Sequence, residues 1–451
     1  MSVITTIRRD RRQELRNIFS TFFRNSSTGG IVLIFCAIAA LVIANVPQFA
    51  FLQDLLYQYA GFSIGSYKFE LSIIHWINDG LMAIFFLVVG LEIKREVLVG
   101  ELSSVRQASL PIIAAVGGMV IPALIFLYFN IGTESQNGWG IPMATDIAFA
   151  LGILSLLGKR VPTSLKIFLT ALAIVDDLGA IIVLAIFYPT HALDFQLLLY
   201  ASLIIALLIF FNRMNVRNPL FYIVPGIVLW FLILGSGIHA TIAGVLLAMT
   251  IPGKNTINEV RFLVGTRFLL NKFSAASNHK VSVLSNPVQQ QVIHNLHNKL
   301  KQVHPVMLRF EHALHPWVTF IIMPVFALAN AGVILNAKIF NPPFEPIIPG
   351  IFFGLLFGKP LGIFFASWLA VKLKIAELPA EMKWSQIFSV GIIAGIGFTM
   401  SIFIDNLAFT DPAIIDTGKV TILGTSFIAA VIGLLAIYIT TKDKTTKIIN
   451  K

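Results

Sequence analysis

The sequence predicts an all-α polytopic membrane protein, and three observations carry that expectation. Of its 451 residues 57% are hydrophobic and only 12% are charged, and the mean hydropathy is +0.84, well above what a soluble domain of this length shows. Apolar stretches of about 20 residues recur along most of the chain, the length a helix needs to cross roughly 30 Å of hydrocarbon. These stretches lack the polar stripe that a soluble amphipathic helix keeps.

Residues 1–28 read as a basic N-terminal arm with Arg8, Arg9, Arg11, Arg12, Arg16 and Arg24. The span from Gly29 to about Val46 is apolar enough for a signal-peptide core, but the basic region before it is long and further spans follow, so it is read as a retained first transmembrane helix. Apolar runs between polar breaks give twelve candidate spans, centred near residues 38, 84, 118, 150, 176, 204, 227, 244, 321, 358, 396 and 430. They form one transmembrane domain over residues 29–440, followed by a tail over 441–451. Between the first two spans, Phe62 to Leu71 alternates apolar and polar residues about Gly65 and Ser66, which predicts a small outer β-hairpin within about residues 54–71. Between the eighth and ninth lies a long loop, about 254–309, with eight basic residues against one acid, Glu259. Three of its histidines lie close together, His294, His297 and His304; they are poorly spaced for metal without a Cys or carboxylate partner, and His294 with His297 suit an amphipathic helix.

Twelve spans put both termini on one side. With the N-terminus cytoplasmic, every Lys and Arg falls inside except Lys68, Lys338, Lys419 and the mid-span Lys359, the asymmetry of the positive-inside rule. The expected location is therefore an inner membrane with both termini cytoplasmic. The formal charge of +11 does not indicate nucleic acid, because the basic residues sit in clusters between apolar spans rather than on one soluble face. Cys36, the single cysteine, cannot form an intramolecular disulfide. No Gly-x-x-x-x-Gly-Lys-[Ser/Thr] loop occurs, which argues against an ATP-driven pump.

An ionisable residue at bilayer depth costs about 2.5 to 3.5 kcal/mol on insertion scales, so each one is a functional candidate. Asp146, Asp176, Asp177 and Lys359 stand out. Adjacent helical residues such as Asp176 and Asp177 point about 100° apart and can serve one cavity from two directions. Sodium is a hard cation that prefers oxygen, and a carboxylate holds either the ion or a proton. Two neighbouring carboxylates in an apolar span resist carrying both charges at once, so the pair suits exchange of one for the other. The alternative is a structural pair satisfied by backbone and water. Asp146 lies where Gly140 and Pro142 interrupt a span, and Gly391, Gly395 and Gly397 interrupt a second. Two broken spans in different halves of a transporter point to an inverted repeat with a midplane ion site. A carboxylate such as Asp146 suits two facing helix N-termini and an ammonium such as Lys359 two facing C-termini. Lys359 suits as well a salt bridge to Asp176 that breaks when the site loads; snorkelling to an interface is the alternative, against its position well within the span.

At the inner end of the second span stand Glu92, Lys94, Arg95 and Glu96, and at the inner start of the ninth Glu311, His312 and His315. Glu92 with Glu96, and Glu311 with His315, share helical faces. The group suits a sensor of cytoplasmic pH or an ordinary solvated face. His239 is a lone intramembrane histidine that suits either function or packing.

Together these segments resemble the NhaA family of sodium/proton antiporters. The resemblance rests on Gly90-Leu-Glu-Ile-Lys-Arg-Glu96, Ala144-Thr-Asp-Ile-Ala-Phe-Ala-Leu-Gly152, Ala173-Ile-Val-Asp-Asp-Leu-Gly-Ala180, Gly237-Ile-His-Ala-Thr-Ile-Ala-Gly244, Glu311-His-Ala-Leu-His-Pro-Trp317, Phe326-Ala-Leu-Ala-Asn-Ala-Gly332, Gly358-Lys-Pro-Leu-Gly362 and Gly395-Ile-Gly-Phe-Thr-Met-Ser401, and spans nearly the whole chain. This family is itself among the examples behind the inverted-repeat rule, so that rule adds no independent support here. The resemblance implies twelve transmembrane helices in inverted-topology repeats, with crossed, interrupted fourth and eleventh helices. It also implies a secondary transporter rather than an enzyme, in a bacterial inner membrane, exchanging cytoplasmic Na⁺ or Li⁺ for external protons, active at alkaline pH and dimeric through the outer hairpin. No cofactor is implied, and the partners are membrane lipid and a second copy.

By motif, Asp176 and Asp177 take the Na⁺-binding and proton-carrying positions, Thr145 and Asp146 the extended chain of the fourth helix, and Lys359 the tenth-helix lysine. Glu92, Arg95, Glu96, Glu311, His312 and His315 match the cluster associated with pH response. The loop from about Lys254 to Pro305 departs from the family pattern in length and charge. A sodium-coupled symporter of a small organic anion is the nearest rival, but it would need an arginine or a bare helix N-terminus where Asp146 stands. A passive cation channel would need rings of carboxylates or carbonyls from several subunits.

Overall fold

A computed structural model describes residues 26–64, 67–253, 259–277, 282–334, 344–379 and 382–441. The arginines of the N-terminal arm, the hairpin turn at Gly65 and Ser66, Lys338 and the tail lysines lie outside them. Helix α1 (Ser26–Asn45) leads through α2 (Ala50–Tyr57) to antiparallel strands β1 (Tyr59–Ile64) and β2 (Tyr67–Ser72), paired from Tyr59 with Ser72 to Ile64 with Tyr67. The alternation about residues 65 and 66 thus gives a two-stranded hairpin. It is tied down by Trp76, whose Nε1 donates to the Ala60 carbonyl at 2.8 Å and whose ring stacks on Trp230 at 5.8 Å.

The helices continue as α3 (Ile73–Val99), α4 (Val105–Asn130), a 3₁₀ segment (Glu134–Met143), α5 (Ile147–Leu156), α6 (Thr163–Phe187), α7 (Phe195–Arg213), α8 (Leu220–Gly235) and α9 (Ile242–Thr250). Next come α10 (Glu259–Ala275), α11 (Pro287–Val303), α12 (Val306–Asn330), α13 (Ile347–Lys372), α14 (Trp384–Ala394), α15 (Phe398–Ala408) and α16 (Pro412–Thr440). Among the described residues eight helices are long and apolar enough to cross a membrane, or up to ten if each of two bent pairs is one span. The spans expected near residues 227 and 244 are helices of 16 and 9 residues, short of the roughly 20 that cross hydrocarbon unaided.

The chain is a multi-pass membrane protein. On α7, Phe195 is 77% exposed, Leu199 59% and Leu203 58%. A helix that turns so much apolar surface outward is costly in water and at home against lipid. Inside, one large apolar core joins α1, α3 to α6 and α12 to α16, and a smaller one gathers α7 to α9 around Leu87, Leu91 and Met307.

The basic stretch expected as a loop over about 254–309 contains two helices. Asn286 accepts from the Val288 and Gln289 amides at 3.1 and 3.2 Å and so starts α11, with Pro287 in its first turn. His294 and His297 share α11, and His304 caps its end.

Candidate functional site

Two chain breaks meet in the protein's centre. The segment 134–143 and α5 are bent by 46° across an extended link, and α14 and α15 by 49° across Gly395 to Gly397. Each link leaves amides and carbonyls that no helix satisfies, and each break supplies partners to the other. The Asp146 amide donates to the Ile396 carbonyl at 2.8 Å, the Thr145 hydroxyl to the Ala394 carbonyl at 2.9 Å, and the Ser401 hydroxyl to the Ile141 carbonyl at 2.8 Å.

Asp146, buried at 1% exposure, caps two helices at once. Its Oδ1 accepts from the Phe149 amide at 2.9 Å at the start of α5, and its Oδ2 from the Thr399 amide at 3.3 Å at the start of α15. The Thr399 hydroxyl donates to the same Oδ2 at close range. One carboxylate therefore neutralises the positive ends of two half-helices.

Lys359 enters from α13, directly after a π-helical turn over Gly354–Gly358. Glycine at 354 permits the approach, because a Cβ there would stand 2.8 Å from Pro142 Cβ. The ammonium, at 0% exposure, donates at close range to the Met143 carbonyl, the end of the 3₁₀ segment, and at 2.6 Å to Asp176 Oδ2. Of the options open in the sequence, Lys359 therefore makes the salt bridge and meets one C-terminal carbonyl; it does not snorkel.

Asp176 and Asp177, both 1% exposed, project from the middle of α6. Asp176 Oδ2 also accepts from the Thr145 hydroxyl at 2.6 Å, while its Oδ1 and Asp177 Oδ1 are buried without hydrogen-bond partners among the described residues. The charges acting on Asp177 are Asp176, Asp146 and Glu92, of its own sign, and Lys359, opposed. With more negative than positive charge around it and an oxygen unoccupied, such a pair can take up a proton or a small cation. Among the described residues no group of three or more His, Cys, Asp and Glu side chains converges as a resident metal site.

Most of the group around Glu92 and Glu311 also comes together. Arg95 pairs closely with Glu311 and at 3.1 Å with Glu96, whose other oxygen accepts from the Glu101 amide at 3.0 Å. Glu92 feels the charges of Glu311, Arg95 and Glu96, and His315 those of Glu311, Arg95 and His312. His312 lies against His304, ring centroids 5.6 Å apart, and burial, His312 and Arg309 together hold the His304 imidazole below the ordinary histidine range. Lys94 does something else: it donates to the Met249 carbonyl at 2.7 Å and to that of Ala248 at 3.3 Å, capping the C-terminus of α9. His239 is buried with both ring nitrogens unpartnered among the described residues, against the Phe403 ring.

Sequence reading missed Asp405, at 0% exposure on α15, and counted Lys419 only as a residue on the outer side; it is half-buried on α16. An acid inside the apolar run Phe398–Ala408 was the available signal.

Comparison with known proteins agrees over most of the chain. A family model described as Na+/H+ antiporter 1 matches residues 20–437. The Na(+)/H(+) antiporter NhaA of Oleidesulfovibrio alaskensis is 50% identical over 411 residues, 91% of each chain. That of Wolinella succinogenes is 46% identical over 433 residues, 96% of this chain and 95% of its own. The solved structure of the sodium proton antiporter MjNhaP1 from Methanocaldococcus jannaschii covers 95% of this chain and 97% of its own at a TM-score of 0.44 and 13% identity.

Proposed function

The chain belongs to the Na+/H+ antiporter 1 family, and on that premise we propose that it exchanges Na⁺ for protons at Asp176 and Asp177 by alternating access. The observation that carries the site assignment is the Asp176–Lys359 ion pair, buried beside an unpartnered oxygen on each aspartate. Facing the cytoplasm, the aspartates release protons, Na⁺ takes Asp177 with Asp176, and Lys359 is displaced from Asp176. Facing outward, Na⁺ leaves and protons return. Thr145 and Asp146 hold the crossed links in place throughout. If proton and sodium counts differ, each cycle moves charge, and the membrane potential contributes about 2.3 kcal/mol per charge per 100 mV.

The finer architecture belongs to the same reading. We propose twelve membrane-crossing segments, counting each bent pair once and including the short α8 and α9, arranged as inverted repeats in a bacterial inner membrane with both termini cytoplasmic. The hairpin of β1 and β2 joins two copies, and Glu92, Arg95, Glu96, Glu311, His312 and His315 set the pH response. Li⁺ serves as an alternative to Na⁺. Uptake of an organic anion is disfavoured because Asp146 already occupies both half-helix N-termini that such an anion would need.

The test is Na⁺-induced proton movement in proteoliposomes containing a pH-sensitive dye, with Asp177→Asn in parallel. Sodium-driven proton flux in the native chain that disappears in the variant is expected. Flux surviving in Asp177→Asn would remove that residue from the exchange site.

A further inference from the structure

Beyond the crossed links a second stratum of polar side chains crosses the helix packing. Thr399, which holds Asp146, begins α15; six residues further along, roughly 9 Å at 1.5 Å per residue, comes Asp405. Its neighbour Asn406 donates to Asn330 Oδ1 at 2.9 Å, and Asn330 donates to Asn78 Oδ1 at 2.8 Å, linking α15, α12 and α3. The stratum lies between the central site and the link 409–411.

Asp405 differs from every other member. It is 0% exposed, and neither carboxylate oxygen has a hydrogen-bond partner among the described residues. A buried, unpaired carboxylate is among the costliest groups a fold can hold, so it must take a proton or gain a partner. Its carboxylate lies against Gly418 of α16, where a Cβ would stand 2.8 Å from Cγ, so only glycine leaves it room. The charges acting on it are Lys419, attractive, and Asp416, repulsive, both half-buried on α16. The ion pairs among the described residues do not include Asp405 with Lys419. Of the other elements packed on α15, residues 323–330 of α12 carry no titratable side chain, Glu134 of the 3₁₀ segment is exposed, Asp79 of α3 is half-buried beside Asn78 of the stratum, and the buried His239 lies against Phe403, two residues before Asp405.

The chemistry selects the ligand. A hard cation needs several converging oxygens, whereas among the described residues no group of three or more His, Cys, Asp and Glu side chains converges around Asp405. A proton needs only one oxygen and tolerates an ammonium nearby. We propose that Asp405 is a second exchangeable proton site, between the crossed links and the link 409–411, with Lys419 as the counter-charge that competes with the proton for its carboxylate. When the carboxylate takes a proton, Lys419 is released; when the proton leaves, the ammonium closes on the carboxylate. Proton binding at Asp405 stands on geometry alone, and its use during transport rests on the antiport reading above.

The experiment is isotope-edited difference infrared spectroscopy of the full chain in liposomes over a pH series, with flux measured on the same preparation. The expected result is a protonated-carboxyl band that titrates in the native chain and in Asp177→Asn but is missing in Asp405→Asn. In Lys419→Gln its midpoint should move by about one pH unit or more, tenfold in proton affinity. Asp405→Glu, which keeps the acid, should restore a titrating band. Absence of any titrating band lost in Asp405→Asn would overturn the site, and an unmoved midpoint in Lys419→Gln would overturn the role of the lysine. In flux, Asp405→Asn should keep Na⁺ coupling but flatten the dependence on pH of the compartment facing the 409–411 link; an unchanged profile would take Asp405 off the path. If the band behaves as stated while the native chain shows no Na⁺-linked flux, the antiport reading fails and the proton site stands.

Discussion

Replacing Asp176 by Asn leaves the Lys359 ammonium at 0% exposure without the anion that stands 2.6 Å away. Breaking a buried ion pair from one side costs about 3 to 5 kcal/mol, because the remaining charge stays desolvated. Two features place this site low in that range. The amide oxygen of Asn still accepts from the Thr145 hydroxyl, which donates to Asp176 at 2.6 Å in the native chain. Asp177 is the other carboxylate acting on Lys359 and takes over part of its charge. The expected cost is about 3 kcal/mol, on the order of a hundredfold in the folding equilibrium. Asp176→Asn with Lys359→Met removes both charges, and stability should return, since swapping a whole buried pair for apolar volume is often neutral. The assay is thermal unfolding in detergent followed by tryptophan fluorescence, with exchange measured in proteoliposomes. The single variant should melt early, the double near the native chain, and neither should exchange. A single variant as stable as native, or a double variant no better than the single, would refute the reasoning.

Other outcomes follow from the same contacts. Thr399→Val removes a hydroxyl donor from buried Asp146 and should cost about 1 to 3 kcal/mol, read as a lower melting temperature that Thr399→Ser restores. His304 in the folded chain resists the proton that an unfolded histidine accepts near its ordinary value of 6.5; its contribution to stability is complete above that value and declines as pH falls below it. His304→Gln should therefore leave melting unchanged at mildly alkaline pH and lessen the loss at mildly acidic pH, and equal acid losses in both chains would exclude the effect. If β1 and β2 join two copies, Glu70→Cys in a Cys36→Ser background should form a covalent dimer on mild oxidation in membranes, and Arg217→Cys should not.

Local signals in the sequence carried the fold furthest. Alternation about residues 65 and 66 located the hairpin, and Gly140, Pro142, Gly395 and Gly397 located the two breaks, because these patterns act on the backbone where they stand. Asp146 was placed at two helix N-termini for the same reason: a broken helix always exposes its amides. Asp176 stood among the options for Lys359, but the sequence could not choose it, since the two lie 183 residues apart and only packing brings them together. Lys94 read as one of an inner charged group, yet it reaches carbonyls more than 150 residues along the chain. The shortness of α9 and the helix α10 within the basic stretch were hidden by length and polarity, whereas α11 was signalled by the spacing of His294 and His297; Asp405 was hidden by the apolar run that surrounds it.

The most direct test of competition between Na⁺ and protons for one carboxylate pair is calorimetric titration of Na⁺ into the purified chain, in two buffers of different ionisation enthalpy at alkaline pH. Buffer-dependent heat, showing proton release on Na⁺ binding and lost together with binding in Asp177→Asn, is the result expected. Na⁺ binding without proton release, or unaltered in that variant, would contradict it.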